Sequence, residues 1–198
     1  GLKVKLFDTR RSILATAPPL LVDGSEREFY YDRAGSFVVT PKGTIWSYAN
    51  GKLCRKDDQD RRLMYFSDPA VPVGFPLYAS DDTLIAFGSA SALGLFDTRS
   101  ARFTSVPYPL EANGGEYQFV QAIEHDADGT FWLGTMLGLL RLDPVTRAWK
   151  HFRNVPSDTS SLATDVIFSL LPDPKDMNIL WVGTNGGGLC RMDKRTGT

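Results

Sequence analysis

Short apolar runs alternate with clusters of Gly, Asn, Asp, Ser and Pro along most of the chain. The runs "SFVVTP", "TIWSYA", "TLIAFG", "TFWLGT" and "ILWVGT" are rich in Val, Ile, Phe, Trp and Thr, whose branched or flat side chains fit a pleated surface. The polar breaks between them, among them "KG", "NGK", "ADG" and "NGGG", carry the residues that tight hairpin turns require. No segment keeps a 3.6-residue apolar period over about ten positions, and Pro and Gly interrupt too often to allow one. The pattern predicts an all-β chain of short antiparallel strands.

These strands recur in a fixed order. Aligned on one Asp, the strings are "LFDTRR" (Asp8), "CRKDDQDR" (Asp57), "LFDTRSAR" (Asp97), "LRLDPVTR" (Asp143) and "CRMDKRTG" (Asp193), spaced 49, 40, 46 and 50 residues apart. Upstream of four of them stand an apolar segment, a polar turn, a second apolar segment, a small-residue turn and a Leu-containing segment that ends at the Asp. A further short strand follows, as in "ARFTSV" and "AWKHF". Four strands in a unit of about 40 to 50 residues is the signature of a β-propeller. The units fall at 36–66, 75–106, 118–153 and 165–198, the last incomplete, with 1–14 as outer strands of a preceding unit. All 198 residues thus read as a single propeller segment of about four four-stranded blades.

Blades pack face to face around an axis, so "ILWV" and "TFWL" are apolar throughout because both faces are buried. Trp46, Trp132 and Trp181 share one position, with Ile85 as the substitute in the second unit, and a large ring there fills the gap between blades. Gly134 and Gly183 stand two residues on, on the same strand face, where a missing side chain admits a neighbour. Tyr48 and Phe87 hold that place in the first two units, which must pack differently.

Composition removes some classes of partner. The formal net charge of −1 supplies no concentrated basic surface for nucleic acid or an anionic membrane. No stretch approaches the roughly 18 to 20 apolar residues that span a bilayer, and no basic-then-apolar leader opens the chain. Beginning at Gly1 and stopping at Thr198 inside a turn motif, the chain reads as a piece of something longer. Cys54 and Cys190 hold matching places in "LCRKD" and "LCRMD". Equivalent positions on different blades lie too far apart to be bridged, so both are expected as small buried residues.

The strings that suggest chemistry have structural readings beside them. "HDADGT" lacks the distal Glu of a calcium loop and the spacing of an Asp-box, and reads as a hairpin turn. "GTNGGGL" enters a strand rather than a helix and lacks the Gly-Lys-Ser/Thr ending of a phosphate loop, so a glycine hairpin is expected. His125 and His151 accompany no nucleophile-elbow string. Asp126, Asp165 and Glu116 are the carboxylates from which a glycosidase pair, set at a fixed separation across a sugar, would be drawn. "RKDDQDRR" reads as a solvated hairpin tip, and the five recurring Asp residues as turn caps that accept backbone N–H groups.

"DADGTFWLGTMLGLLRLDPVTRAWKHFRN" and "ILWVGTNGGGLCRMDKRTG" resemble two-component regulator propeller repeats, and "VPSDTSSLATDVIFSLL" resembles the linker between two such repeats. The resemblance covers Phe119 to Thr198 and weakens before it, where the W-x-G-T core is lost. It implies a larger, usually seven-bladed propeller of which this chain is an open arc. It also implies the periplasmic sensor region of a hybrid two-component protein, with histidine kinase, receiver and DNA-binding parts beyond a transmembrane helix. The implied ligands are oligosaccharides from polysaccharide breakdown.

In a propeller, the loops entering the innermost strands and those between second and third strands build the face that commonly binds. Asn113, Glu116, Tyr117, Asp165 and Asn185 lie in those loops and offer a stacking ring and hydrogen bonds suited to a sugar. No catalytic, metal-binding or cofactor-binding residue is assigned, and no cofactor is expected. The expected partners are an oligosaccharide or a neighbouring propeller or domain of the same protein, not nucleic acid; membrane attachment would come through other parts of the parent, and dimerisation is compatible with the pattern. The alternatives are a carbohydrate-active propeller hydrolase or lyase and a generic protein-interaction propeller.

Overall fold

The computed structural model describes the strand backbones at 5–8, 13–16, 21–22 and 25–26, and residues 37–49, 51–56, 63–74, 76–79, 81–109 and 120–198. Every regular element among them is a strand. β1 (Lys5–Asp8) pairs with β2 (Ile13–Thr16), and β3 (Leu21–Val22) with β4 (Ser25–Glu26). The first blade runs β5 (Phe37–Val39), β6 (Ile45–Ala49), β7 (Lys52–Lys56), β8 (Leu63–Phe66). β9 (Leu77–Tyr78), β10 (Leu84–Gly88), β11 (Ala92–Asp97) and β12 (Arg102–Pro107) form the second, and β13 (Val120–His125), β14 (Phe131–Thr135), β15 (Gly138–Leu142) and β16 (Trp149–Phe152) the third. A fourth blade has three strands, β17 (Ile167–Pro172), β18 (Ile179–Thr184) and β19 (Gly188–Asp193).

Each blade is an antiparallel meander in chain order, and consecutive blades touch through their inner strands, β5 with β9, β9 and β10 with β13, β13 and β14 with β17. The molecule is all-β, an open arc of propeller blades.

The core lies between blades. Trp46, Leu53, Leu77, Ile85, Phe87 and Phe96 fill the first seam; Ala86, Leu93, Val120, Ile123, Leu133 and Leu140 the second; Trp132, Leu139, Ile167, Leu170, Leu180 and Val182 the third. Alternate residues of one strand serve opposite seams. On β14, Phe131 and Leu133 face the second blade while Trp132 faces the fourth, and all five residues of the strand are buried. This two-sided burial explains the uninterrupted apolar runs. A ring the size of Trp132 removes roughly 150–250 Å² from water, worth about 4–6 kcal/mol as an upper bound.

The three shared Trp positions face the same partner, and Trp46 and Trp132 are buried in seams whereas Trp181, on the last described blade, is half-buried. Across the second hairpin, Trp46 faces Arg55, Trp132 faces Arg141 and Trp181 faces Arg191. The Arg55 and Arg141 guanidinium carbons stand 5.7 Å from the ring centroids, close enough for cation–π attraction. In the second blade Ile85 faces Phe96, whose ring lies 5.5 Å from Trp46 and 4.6 Å from Phe103, so a third-strand aromatic fills the same gap. The displaced glycine is also visible there: Phe87 stands opposite Gly94, whose Cβ position lies only 2.0 Å from the Phe87 ring.

Other repeated letters have local causes. The Asp97 and Asp143 carboxylates accept backbone N–H groups two and three residues on, and Asp193 accepts from Arg195, as expected of turn caps. The side chains of Asp8 and Asp57, and the tip of "RKDDQDRR", lie outside the described residues. Cys54 is buried, whereas Cys190 is only half-buried, because its strand is the last of its sheet. Leu171 and Leu189 on the fourth blade, and Phe37 on the first, are more than half exposed on the outward faces of the arc.

Candidate functional site

Two groups of loops sit at opposite ends of the inner strands. At the end where β17 begins, the linker 153–166 crosses from β16 to β17 and is fastened along its length. Asn154 donates through its backbone N to Asp165 Oδ1 (2.6 Å) and through Nδ2 to Leu162 O (2.5 Å), and Arg153 Nη2 pairs with Asp165 Oδ2 at 3.1 Å. Ser161 Oγ donates to Asp158 O (2.7 Å) and accepts from Val155 N (2.9 Å). The apolar Leu162 plugs into the third seam beneath. The linker is therefore an ordered surface rather than a slack tether.

This end brings together two of the residues chosen from sequence. Asn185 N donates to Val166 O at 2.8 Å, and Thr164 Oγ1 donates to Asn185 O at 3.2 Å, so the Asp165 and Asn185 loops touch. Asp165 is occupied by Arg153 and Asn154, while Asn185 is exposed. Gly187 admits the linker: a Cβ there would stand 2.6 Å from Ala163 Cβ and 2.7 Å from Thr164 Cγ2. The glycines of "GTNGGGL" thus form a hairpin against the linker, with Gly186 and Gly188 at positive φ. Asn113, Glu116 and Tyr117 lie outside the described residues.

Below the linker a cavity of about 420 Å³ runs beside β19, lined by Asn154, Asp158, Ser160, Ser161, Cys190 and Arg191 among others. Its wall mixes hydroxyl, amide and charged groups, which can hydrogen-bond a polyhydroxylated ligand, with the apolar Val155, Pro156, Leu162 and Ala163.

The opposite end carries "HDADGT". Asp126 N donates to Thr130 O and Gly129 N to Asp126 O, which makes this string the expected hairpin turn. The His125 ring stacks on Phe131 with centroids 4.1 Å apart, and His151 Nε2 lies 2.8 Å from Leu137 O, so both imidazoles are built into the scaffold. Asp126 follows the end of β13 whereas Asp165 precedes the start of β17. Six residues of strand hold those ends about 20 Å apart, too far for the two carboxylates to serve one glycosidic bond. Among the described residues no three His, Cys, Asp or Glu side chains converge in a way that could hold a metal ion.

Two roles escaped the sequence reading. The Trp132 and Trp181 indoles donate through Nε1 to Asp126 and Asp173, each at 2.8 Å. Thr135 and Thr184 hydroxyls donate across the second hairpin to Gly138 O and Gly188 O. The Asp ahead of Trp132 and of Trp181, and the "GT" that follows each, were the available signals. In the first blade Thr40 takes the Asp126 place, buried and with its hydroxyl unpartnered.

No family model matches the chain, and no curated protein matches it. Solved structures do. The extracellular domain of BT4673 from B. thetaiotaomicron, described as a hybrid two-component system, is similar at a TM-score of 0.70 and 15% identity over 96% of this chain and 24% of that one. The corresponding domain of BT3049 matches at a TM-score of 0.60 and 17% identity over 83% of this chain and 24% of that one. Virginiamycin B lyase from Staphylococcus aureus matches at 0.58 and 14% identity over 96% of this chain and 62% of the lyase. At these identities the likeness shows a shared propeller fold, and the chain spans about a quarter of the two extracellular domains.

Proposed function

We propose that this chain is a segment of the ligand-sensing extracytoplasmic propeller of a hybrid two-component signalling protein, with oligosaccharide as its ligand. The supporting observation is a conjunction. The strings of Phe119 to Thr198 resemble two-component regulator propeller repeats, and the whole arc shares its fold with extracellular domains of such systems. In this reading the parent sits in the periplasm, anchored in the inner membrane. Asn185 and the loop residues Asn113, Glu116 and Tyr117 contact the sugar, and Asp165 fastens the linker against which the Asn185 loop packs. The segment itself carries no catalysis, and the outward face at Leu171 and Leu189 receives a neighbouring domain.

Calorimetry with a panel of oligosaccharides on the protein containing the intact ectodomain tests this. Binding heat is expected, with Asn185→Ala weakening the affinity about fivefold, the loss of roughly 1 kcal/mol of hydrogen bonding. No heat with any sugar would refute the ligand class.

A second reading, a propeller lyase or hydrolase, draws on the likeness to virginiamycin B lyase. It predicts shortened or unsaturated products when the same sugars are incubated with the protein and analysed by mass spectrometry. Unchanged sugars that nevertheless bind favour sensing.

A further inference from the structure

In the first three blades the third strand is covered by a fourth: β8 on β7, β12 on β11 and β16 on β15. β19 is the outer strand of its sheet, and among the described residues no strand pairs with its free edge. The turn beyond it is nevertheless set as in the third blade. Asp193 N donates to Thr198 O at 2.7 Å and Gly197 N to Asp193 O at 2.8 Å, as Asp143 N does to Ala148 O and Arg147 N to Asp143 O. Gly197 and Arg147 both take positive φ, at 81° and 61°. Ala148 leads straight into β16 at Trp149, so the same turn points from Thr198 along the edge of β19. Backbone groups alternate from side to side along a strand. Since Asp193 N points to Thr198, the N–H and C=O groups of Arg191 and Leu189 turn to the same open edge.

A groove follows that edge. The cavity of about 420 Å³ beside β19 adjoins one of about 210 Å³, and both are bounded by Cys190 and Arg191 on one side and by Val155 and Leu162 of the linker on the other. Phe152 and Arg153, at the end of β16, close the smaller one. The corresponding gap between the second and third blades holds Trp149, the first residue of β16, whose ring lies 5.8 Å from Tyr108 and whose Nε1 donates to Pro107 O at 2.8 Å. Arg153 holds the place of Pro107, because each follows the fourth-strand partner of an equivalent third-strand residue, Val106 opposite Leu93 and Phe152 opposite Leu139. The end of the fourth strand has a second task. Phe66 lies on Trp46 with centroids 5.5 Å apart, and Phe152 on Trp132 at 5.9 Å. Among the described residues no ring lies on Trp181, which is only half-buried.

We propose that the edge of β19 and the groove beside it bind an extended peptide strand of the length of β16, supplied by the parent protein's own chain as it runs on from the turn at 193–198. The proposal rests on the reading of this chain as a segment of a longer propeller. The strand lies antiparallel to β19 in the register of β16, its backbone bonded to Arg191 and Leu189. A large apolar first residue enters the groove, and an indole there donates to Arg153 O. An aromatic fourth residue lies on Trp181 as Phe152 lies on Trp132. Main-chain bonds along the edge supply affinity, and these two side chains supply selectivity. The closed turn favours this source over a free peptide, because it already aims the backbone at the edge and so reduces the ordering cost of adding the strand.

The test appends a strand to Thr198 of the whole chain: Trp-Lys-His-Phe, the sequence of β16, with Trp-Lys-His-Ala and Gly-Ser-Gly-Ser as comparisons. Urea unfolding is one readout. The other is the Trp181 indole N–H signal in NMR, assigned by its loss in Trp181→Phe. Trp-Lys-His-Phe should lower the unfolding constant about tenfold relative to Gly-Ser-Gly-Ser and shift the Trp181 signal. Trp-Lys-His-Ala should keep part of the stability gain and lose the shift. Extended chains that behave alike in both readouts overturn the proposal. A shift that appears only as sedimentation shows the chains dimerising overturns it too, by giving the edge to a second copy. So does a free Trp-Lys-His-Phe peptide that shifts the Trp181 signal while the appended one does not. Sugar binding by the intact ectodomain is measured separately. Binding heat there with no effect of the appended strand strikes this site and leaves the sensor reading standing; the reverse result strikes the ligand class alone.

Discussion

Replacement of Gly134 by Ala places a methyl group where the fourth blade already sits. A Cβ at Gly134 would stand 2.6 Å from Ile167 Cγ2 and 3.6 Å from Ala122 Cβ. Carbon atoms settle at about 3.5–4.0 Å, so the new methyl overlaps Ile167 by about 1 Å. Ile167 has no exposed surface and packs in the seam with Trp132, Leu170 and Val182, so it has nowhere to retreat. Gly134 is not among the glycines at positive φ, so the penalty is steric rather than conformational. Overpacking costs about 1–3 kcal/mol, and the strand preference for Ala over Gly returns about 0.5–1 kcal/mol. The net loss should be about 0.5–2 kcal/mol, read from urea midpoints of the whole chain. Ile167→Ala alone leaves a cavity and should cost about 2–5 kcal/mol. The double variant should cost about 1–2 kcal/mol less than the two losses together, since the second change deletes the group the first one strikes. Strict additivity, or a Gly134→Ala protein as stable as wild type, would refute the claim that this glycine exists to admit the next blade.

Trp132→Phe keeps an aromatic ring against Phe152 and Arg141 but removes the donor to a charged carboxylate at 2.8 Å. It should cost about 1.5–3 kcal/mol. Trp181→Phe, at a half-buried ring, should cost less, and equal losses in chemical denaturation would contradict the argument from burial. In acid, Asp97, Asp128 and Asp143 should contribute to the response, since the backbone N–H groups of Ser100, Thr130 and Thr146 hold them below the usual carboxylate range. Their stabilisation is present above about pH 4 and is lost as pH falls through the folded values. The urea midpoint should therefore drop between pH 5 and pH 2.5, less steeply in Asp143→Ala; a flat midpoint would contradict it.

The amino-acid sequence by itself determined the strands, the hairpins and the period, because these rest on interactions within a few residues. Alternation of apolar runs with turn residues, the Asp caps and the Trp position with its following glycine were all readable along the chain. Even the departure of the second blade was visible as Phe87 in a glycine position, though not its remedy, a glycine moved to position 94 on the facing strand. The tertiary structure alone decided which loops share an end of the molecule. It separated Asp126 from Asp165, occupied Asp165 with Arg153 and Asn154, and left Asn185 exposed beside it. It also drew Lys194 to Asp126 across 68 residues of chain. Such contacts depend on how blades stack about a common axis, a separation in space that no local pattern of side chains encodes.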